Sequence, residues 1–508
     1  MGILHGTVDP HFANWPHAHF YLSAAWLAVT TPLRALGTEP AVDYLAVRVL
    51  TAILGTLTVL VVLEMGRRAF DVRTGVFAAT GMSVAFLSVR DSHFATIDVP
   101  LTLVCSLTLL VVLRLTKTEI SLPTFSRPLQ GGGRGGGVPS RLRETPSAGR
   151  VGWGYFLPGA LLGLATGIKY TGAFLVASIL AGSRRRLVPI LLIGLAVFVL
   201  TSPFLVLEPA VFAHGLSSIT HHLGQPGAGE IGWIHLVRVA LWQGLGPVLF
   251  LLALAGALVA LWRRTRADWI LLSFVVITYV VLGAGSSVFV RYADPLLPPL
   301  LVLAGRAVSD VLRVTVQRRF EIATAIAVLV IGVSSLPHDV TYDLLIGRTD
   351  TRTQAFDWLA SHTQPGDRVA AGYFPGPAHD AALVASGRHS HGAATPYVAA
   401  FLQNRLEDQY GVHELTVEEL ARGNLAALRA DGVQLVLITP ISPQDACAAP
   451  SPLEEQLRAL GPPVAVFLPA ADPCSGSIFD PLDAYFVPLA GYQGWVRPGP
   501  PIRIYKLG

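Results

Sequence analysis

Long apolar runs, separated at short intervals by polar segments, organise most of this chain. A helix rises about 1.5 Å per residue, so about 20 mainly apolar residues cross a hydrocarbon layer of about 30 Å. Stretches that meet or approach this length fall at roughly 44–65, 74–92, 98–115, 153–168, 170–182, 187–206, 234–262, 268–287, 295–312 and 321–337. They predict a multi-pass α-helical membrane domain of about ten spans over residues 44–337. The pair 153–168 and 170–182 is short, and reads either as a tight hairpin with Lys169 at its tip or as one longer helix. Residues 1–43 read as a loop with an aromatic-rich interfacial helix after Pro16. Past residue 338 the period changes. TRTQAFDWLASHT has helical spacing, VEELARGNLAALRADG reads as a helix ending at glycine, and DRVAAGYF, VQLVLITP and PIRIYKL read as strands. A small α/β domain is expected at 338–508.

Composition sharpens this picture. Of the 508 residues, 52% are hydrophobic and only 14% are charged, with mean hydropathy +0.54. Soluble domains carry about 25% charged residues, so a water-soluble enzyme or a nucleic-acid-binding module is excluded. The net charge of +4 matters less than where the arginines lie. They cluster at 67–73, 114–150, 184–186, 263–266 and 313–319. With the hairpin, all five clusters fall on one side; with a single helix, they split between two. Positive loops stay cytoplasmic, so the hairpin is favoured. The outer face then receives residues 1–43, 90–98, Lys169, 207–233, 286–294 and everything after 338.

The Gly/Arg-rich segment 116–150 lacks the Gly-Lys-Ser/Thr needed to cradle a nucleotide phosphate and reads as a flexible basic linker. No cysteine-histidine spacing suits a metal, and no cofactor is expected. Cys447 and Cys474 lie in the expected outer domain, either bridged or as free thiols.

Charged groups at membrane depth are costly and point to function. Four outer-face segments carry them. In RDSHFATIDVP, Asp98 and His93 are candidate catalytic groups; capping of the following helix by Asp98 and pairing of Arg90 with Asp91 are the structural alternatives. In GLATGIKYTGAF, Lys169 and Tyr170 suit an anionic ligand, with plain snorkelling as the alternative. In SSVFVRYADPLLPP, Arg291 and Tyr292 also suit a phosphate, and an ion pair of Arg291 with Asp294 or Asp98 is the alternative. In HFANWPHAHFYL, Trp15, His17 and His19 suit an interfacial acceptor position.

These stretches, in this order, resemble the GT-C glycosyltransferases that use polyprenyl-phosphate sugar donors, in the protein O-mannosyltransferase-like and lipid A aminoarabinose transferase-like groups. The resemblance rests on DPHFANWPHAHFYL, AVRVLTAILGTLTVLVVLEMGRRAF, SHFATIDVPLTL, GLATGIKYTGAF, TSPFLVLEPAVF and RYADPLLPPLLVLAG. It implies inverting, metal-independent transfer of a sugar to a hydroxyl at the outer face. Asp98 then matches an acidic active-site position, and Lys169 and Arg291 stand where they meet the donor phosphate. Membrane lipids are further partners; the acceptor is left open. The family's first spanning helix and acidic loop motif are not matched, and Asp9 falls past that motif. The expectation is a start placed downstream of the true one, with a fragment or an inactive paralogue as alternatives. A transporter or lipid flippase, or a scaffold with an outer binding domain, are the other functional readings. Neither the paired repeats nor the mid-membrane polar groups typical of transporters are evident.

Overall fold

The computed structural model describes residues 9–10, 13–34, 41–120, 148–224, 230–315, 320–364, 367–371, 411–415, 422–440, 443, 445–482 and 485–507. The helices are α1 Ala18–Arg34, α2 Ala41–Ala69, α3 Val72–Ser83, α4 Phe86–Ser92, α5 Asp98–Ile120, α6 Ala148–Ile168, α7 Leu175–Gly182 and α8 Leu187–Thr201. They continue with α9 Phe204–Leu207, α10 Pro209–Gly224, α11 Gly232–His235, α12 Trp242–Arg263, α13 Arg266–Gly283, α14 Leu297–Thr315, α15 Phe320–Ile346 and α16 Thr351–His362. Most of the linker expected at 116–150 lies outside the described residues.

Among the described residues, six helical segments are long and apolar enough to cross a membrane, and α3 with α4, bent by 56°, form a seventh if counted as one span. Three of the expected spans, around 154–168, 170–182 and 187–201, are shorter apolar helices. The chain is a multi-pass membrane protein.

The hairpin at Lys169 follows from a glycine seam. A Cβ on Gly159 would meet the Ile190 carbonyl at 2.8 Å, and one on Gly163 would meet the Gly194 carbonyl at 2.3 Å. Further along, one on Gly167 would meet Thr201 Oγ1 at 2.3 Å. Small residues four apart let helix backbones touch. Because both sets of numbers increase together, α6 and α8 run parallel, so the chain between them returns across the bundle. Lys169, in extended conformation, is the turning point; a 3-10 turn, Tyr170–Phe174, leads into the returning α7.

One end of the bundle gathers the arginines. Glu64 takes Arg67 at 2.6 Å, Arg68 at 2.7 Å and Arg114 at 3.0 Å. Asp71 takes Arg306 and Arg313, and Asp310 takes Arg306 and Arg263. Arg186 reaches toward Gly154 at the start of α6. The described arginines of these clusters thus lie at one end, as the hairpin requires, and 90–98, Lys169 and 289–294 lie at the other.

The sequence pattern ends the last span at 337, but α15 runs on to Ile346. Pro337 sits inside it, and its extension is held by Tyr342, fully buried against Phe86 at 5.1 Å between ring centres. Tertiary packing outweighs the missing proline N–H here.

The C-terminal domain holds a five-stranded sheet in the order β2-β1-β3-β5-β4, with β1 Arg368–Ala371, β2 Gly411–Glu414, β3 Val433–Ile438, β4 Ala465–Phe467 and β5 Ile502–Lys506. Strands β2, β1 and β3 are parallel; β5 joins β3 antiparallel, with Leu437 opposite Ile504, and β4 joins β5 antiparallel. Helix α16 covers one face through Ala355, Trp358 and Leu359. Leu428, Leu453 and Leu457 cover the other. The three expected strands are present. The helix expected over VEELARGNLAALRADG is described only as Leu425–Ala430, capped by the Asn424 side chain after Gly423 turns at φ +66°. Cys447 and Cys474 are disulfide-bonded.

Candidate active site

At the arginine-poor end, three polar segments converge on one carboxylate. Asp98 opens α5, yet its oxygens do not cap that helix. Lys169 Nζ donates to Asp98 Oδ1 at 2.6 Å, and Arg291 Nε lies 3.5 Å from Oδ2. Asp98 is only 1% exposed, so both cations are held largely out of water. A buried ion pair of this kind is weak evidence for stability, because desolvation offsets much of its attraction.

Aromatic rings complete the cationic wall. Lys169 Nζ stands 3.8 Å from the Tyr292 ring centre, and the Arg291 guanidinium stands 3.9 Å from that of Phe289. Such contacts hold a cation in place without neutralising it. Beneath them lies a cavity of about 10 Å³ open to the centre of a water molecule, lined by Asp98, Lys169, Tyr292, Thr171, Thr278 and Cys105 among others. That is room for about one water.

A second buried group stands beside the first. Arg90 donates to Asp91 at 2.7 Å, as the sequence alternative has it, and both are essentially unexposed. Asp294 is buried near this pair, and among the described residues neither of its oxygens has a hydrogen-bond partner. Arg291 therefore answers to Asp98 rather than to Asp294, although Arg291 and Asp294 are three residues apart.

The N-terminal segment docks on the same end. The Tyr170 hydroxyl donates to the Ala13 carbonyl at 2.9 Å, and the His17 N–H donates to Ser202 Oγ at 3.0 Å. His17 and His19 are buried, and Trp15 is half-buried. Burial pushes the His19 imidazole down to about 4, against the pull of the Asp98 charge, so it is neutral at pH 7. The sign of the linkage is fixed by this lowering. Between pH 6.5 and 4 the unfolded chain binds a proton that the folded chain refuses, so this stability is complete above 6.5 and lost as pH falls. The loss amounts to about 3 kcal/mol. Thermal unfolding in detergent at pH 7 and pH 4.5 should show it, and His19→Gln should flatten that part of the profile.

His93 is not brought to Asp98. A tight turn, with Thr96 N–H donating to the Phe94 carbonyl at 2.8 Å, separates the two. The His93 ring instead donates from Nδ1 to the Val89 carbonyl at 2.8 Å and turns Nε2 to Asp343 of α15 at 3.5 Å. Arg48 binds the His93 carbonyl. Its place is at the junction with α15, beside rather than within the Asp98 cluster.

Sequence reasoning missed the contribution of the C-terminal domain. Tyr485 stacks on Phe94 with ring centres 3.9 Å apart and planes 7° from parallel, and it lies under Arg90 at 5.3 Å. Tyr492 donates to the Leu489 carbonyl at 3.1 Å and meets His338 Nε2 at 3.2 Å. Burial raises the Tyr492 phenol above its ordinary value. No periodicity marks these residues in the sequence. Among the described residues no group of three or more His, Cys, Asp or Glu gathers as a metal site.

The architecture has solved counterparts. The apo structure of ArnT from Cupriavidus metallidurans superposes with a TM-score of 0.51 at 14% identity, over 98% of this chain and 88% of that one. The apo oligosaccharyltransferase of Archaeoglobus fulgidus superposes with a TM-score of 0.50 at 13% identity, over 86% of this chain. The fold is GT-C. At these identities the likeness fixes the GT-C fold alone, and the chain spans only 64% of the Archaeoglobus enzyme. In sequence, the profile of the dolichyl-phosphate-mannose-protein mannosyltransferase family matches residues 36–123. That match covers α2 to α5 and so includes Asp98, while Lys169 and Arg291 lie outside it. No curated protein sequence matches the chain.

Proposed function

We propose that this protein is a membrane glycosyltransferase that moves a sugar from a polyprenyl-phosphate-linked donor to an acceptor hydroxyl. The observation that carries the reading is the buried Asp98 carboxylate held between Lys169 and Arg291 at one end of a GT-C bundle. The family profile over residues 36–123 supports the donor class, since its members are named for dolichyl-phosphate mannose.

Displacement at the anomeric carbon needs a group to take the acceptor proton and charges to receive the leaving phosphate. Lys169 and Arg291 supply the charges. The donor phosphate takes over these cations from Asp98, and the freed carboxylate accepts the proton. The acceptor oxygen then bonds to the anomeric carbon, the carbon–phosphate-oxygen bond breaks, and its electron pair remains on the phosphate. A single displacement inverts the anomeric centre. The cations need no metal to assist them, and the leaving phosphate needs no general acid. Trp15, His17 and His19 flank the approach of the acceptor, and Tyr170 and Tyr292 support the phosphate site.

The reaction is placed at the outer face. Arginine clusters at the opposite end support a cytoplasmic position for that end. The Cys447–Cys474 disulfide supports an oxidising compartment for the C-terminal domain.

The test uses the full chain in proteoliposomes with radiolabelled decaprenyl-phosphate mannose and a native membrane extract as acceptor. Label should leave the carrier and appear in the acceptor fraction, undiminished by EDTA. Folded protein that leaves mannose, glucose, arabinose and aminoarabinose donors all intact would overturn the reading, as would lipid movement between leaflets without cleavage.

A further inference from the structure

The C-terminal domain reaches into the cluster around Asp98 at two points that local sequence gives no reason to join. The first is Asp480, 2% exposed, whose Oδ2 accepts the Val290 N–H at 2.8 Å across 190 residues. Val290 opens the 3-10 turn Val290–Leu296, which carries Arg291, Tyr292 and Asp294. Free N–H groups at the start of a helical turn need acceptors, and the local capping residue is Phe289, whose side chain accepts nothing. Asp480 supplies the missing cap from another domain. Its second oxygen accepts the Leu482 N–H at 3.1 Å, which fixes the carboxylate within its own segment.

The second point is Tyr485, clamped between Phe94 and Arg90. Phe94 lies in the turn that leads to Asp98, and Arg90 lies in the helix before it. Residues 480 and 485 therefore hold the two arms that must meet for Asp98 to face Arg291. The base of their segment is itself tied. Ile478 pairs with Ala490, Ser477 Oγ donates to the Gly491 carbonyl at 3.1 Å, and Trp495 Nε1 donates to Ser477 Oγ at 2.9 Å.

We propose that Asp480 is a positioning residue for the transfer reaction: by capping the Val290 turn from the C-terminal domain, it sets Arg291 against Asp98. This inference rests on the glycosyltransferase reading above. A misplacement of about 1 Å at a reacting group costs about 10²-fold in rate. Asparagine at 480 keeps one acceptor oxygen for the two N–H groups of Val290 and Leu482, whereas alanine removes both.

The experiment compares wild type, Asp480→Ala and Asp480→Asn in the same proteoliposomes, with hydrogen exchange of the peptide covering Val290 as a second measurement. Asp480→Ala should lower kcat by about 10- to 100-fold with a smaller change in KM, and should speed exchange at Val290. Asp480→Asn, which keeps one of the two acceptor oxygens, should fall between alanine and wild type in both. Unchanged kcat in Asp480→Ala, unchanged exchange, or equal loss in both variants would each overturn the proposal. A wild type that exchanges slowly at Val290 but transfers no sugar would sink the enzyme reading, and this proposal with it. An active wild type matched by Asp480→Ala sinks the positioning role alone.

Discussion

Asp98→Asn should reduce sugar transfer by about 10²- to 10⁴-fold, the usual contribution of a positioned proton acceptor. Asparagine keeps the shape of the side chain and an oxygen for Lys169, which donates at 2.6 Å in the native protein, so the bundle should still fold, at some cost in stability. What it loses is the negative charge. That charge now occupies the two cations proposed to receive the donor phosphate, so its removal should tighten binding of undecaprenyl phosphate even as turnover collapses. A gain of about tenfold corresponds to 1.4 kcal/mol. The opposite movement of binding and rate is the diagnostic feature. A carboxylate that merely braced the fold would weaken both, and wild-type turnover in Asp98→Asn would remove Asp98 from the mechanism.

Lys169→Met should have the second large effect, and it should be visible in stability as well as rate. Methionine preserves the length of the stem but leaves the buried Asp98 with Arg291 alone, at 3.5 Å. Removing one partner of a buried pair typically costs about 3–5 kcal/mol, so the melting temperature in detergent should fall. Loss of a cation that offsets charge on the leaving group should lower kcat by about 10²- to 10³-fold. Combining Lys169→Met with Asp98→Asn should return part of the stability, because the buried carboxylate charge is then gone, but none of the turnover. If the double variant is as unstable as Lys169→Met alone, the cost is not electrostatic.

Much of this site is legible in the sequence for a simple reason. Asp98, Lys169 and Arg291 each stand at the edge of an apolar run, where a charge is expensive and therefore conspicuous. Their pairing is not legible, since it depends on a bundle that brings residues 98, 169 and 291 to one point. Arg291 and Asp294 illustrate this: sequence proximity offers an ion pair, and the fold turns Arg291 to Asp98 instead. His93 shows the reverse, a residue five positions from Asp98 that the turn at Phe94 and Thr96 sends toward α15. Asp480 and Tyr485 come from an irregular segment without helical or strand period, and only tertiary contact gives them meaning.

The parallel run of α6 and α8 has a consequence for how the proposed lipid donor would meet this protein. Lys169 stands at the top of three chain passages, two of which are locked backbone to backbone along the glycine seam. A lysine on a long exposed loop could follow a headgroup as it drifts up and down in the leaflet. This one is a fixed post, and its height cannot change unless the seam slides. Under the proposed function, the lipid donor would have to bring its phosphate to that set depth, so the elevation of the headgroup would become a criterion of selection alongside its chemistry.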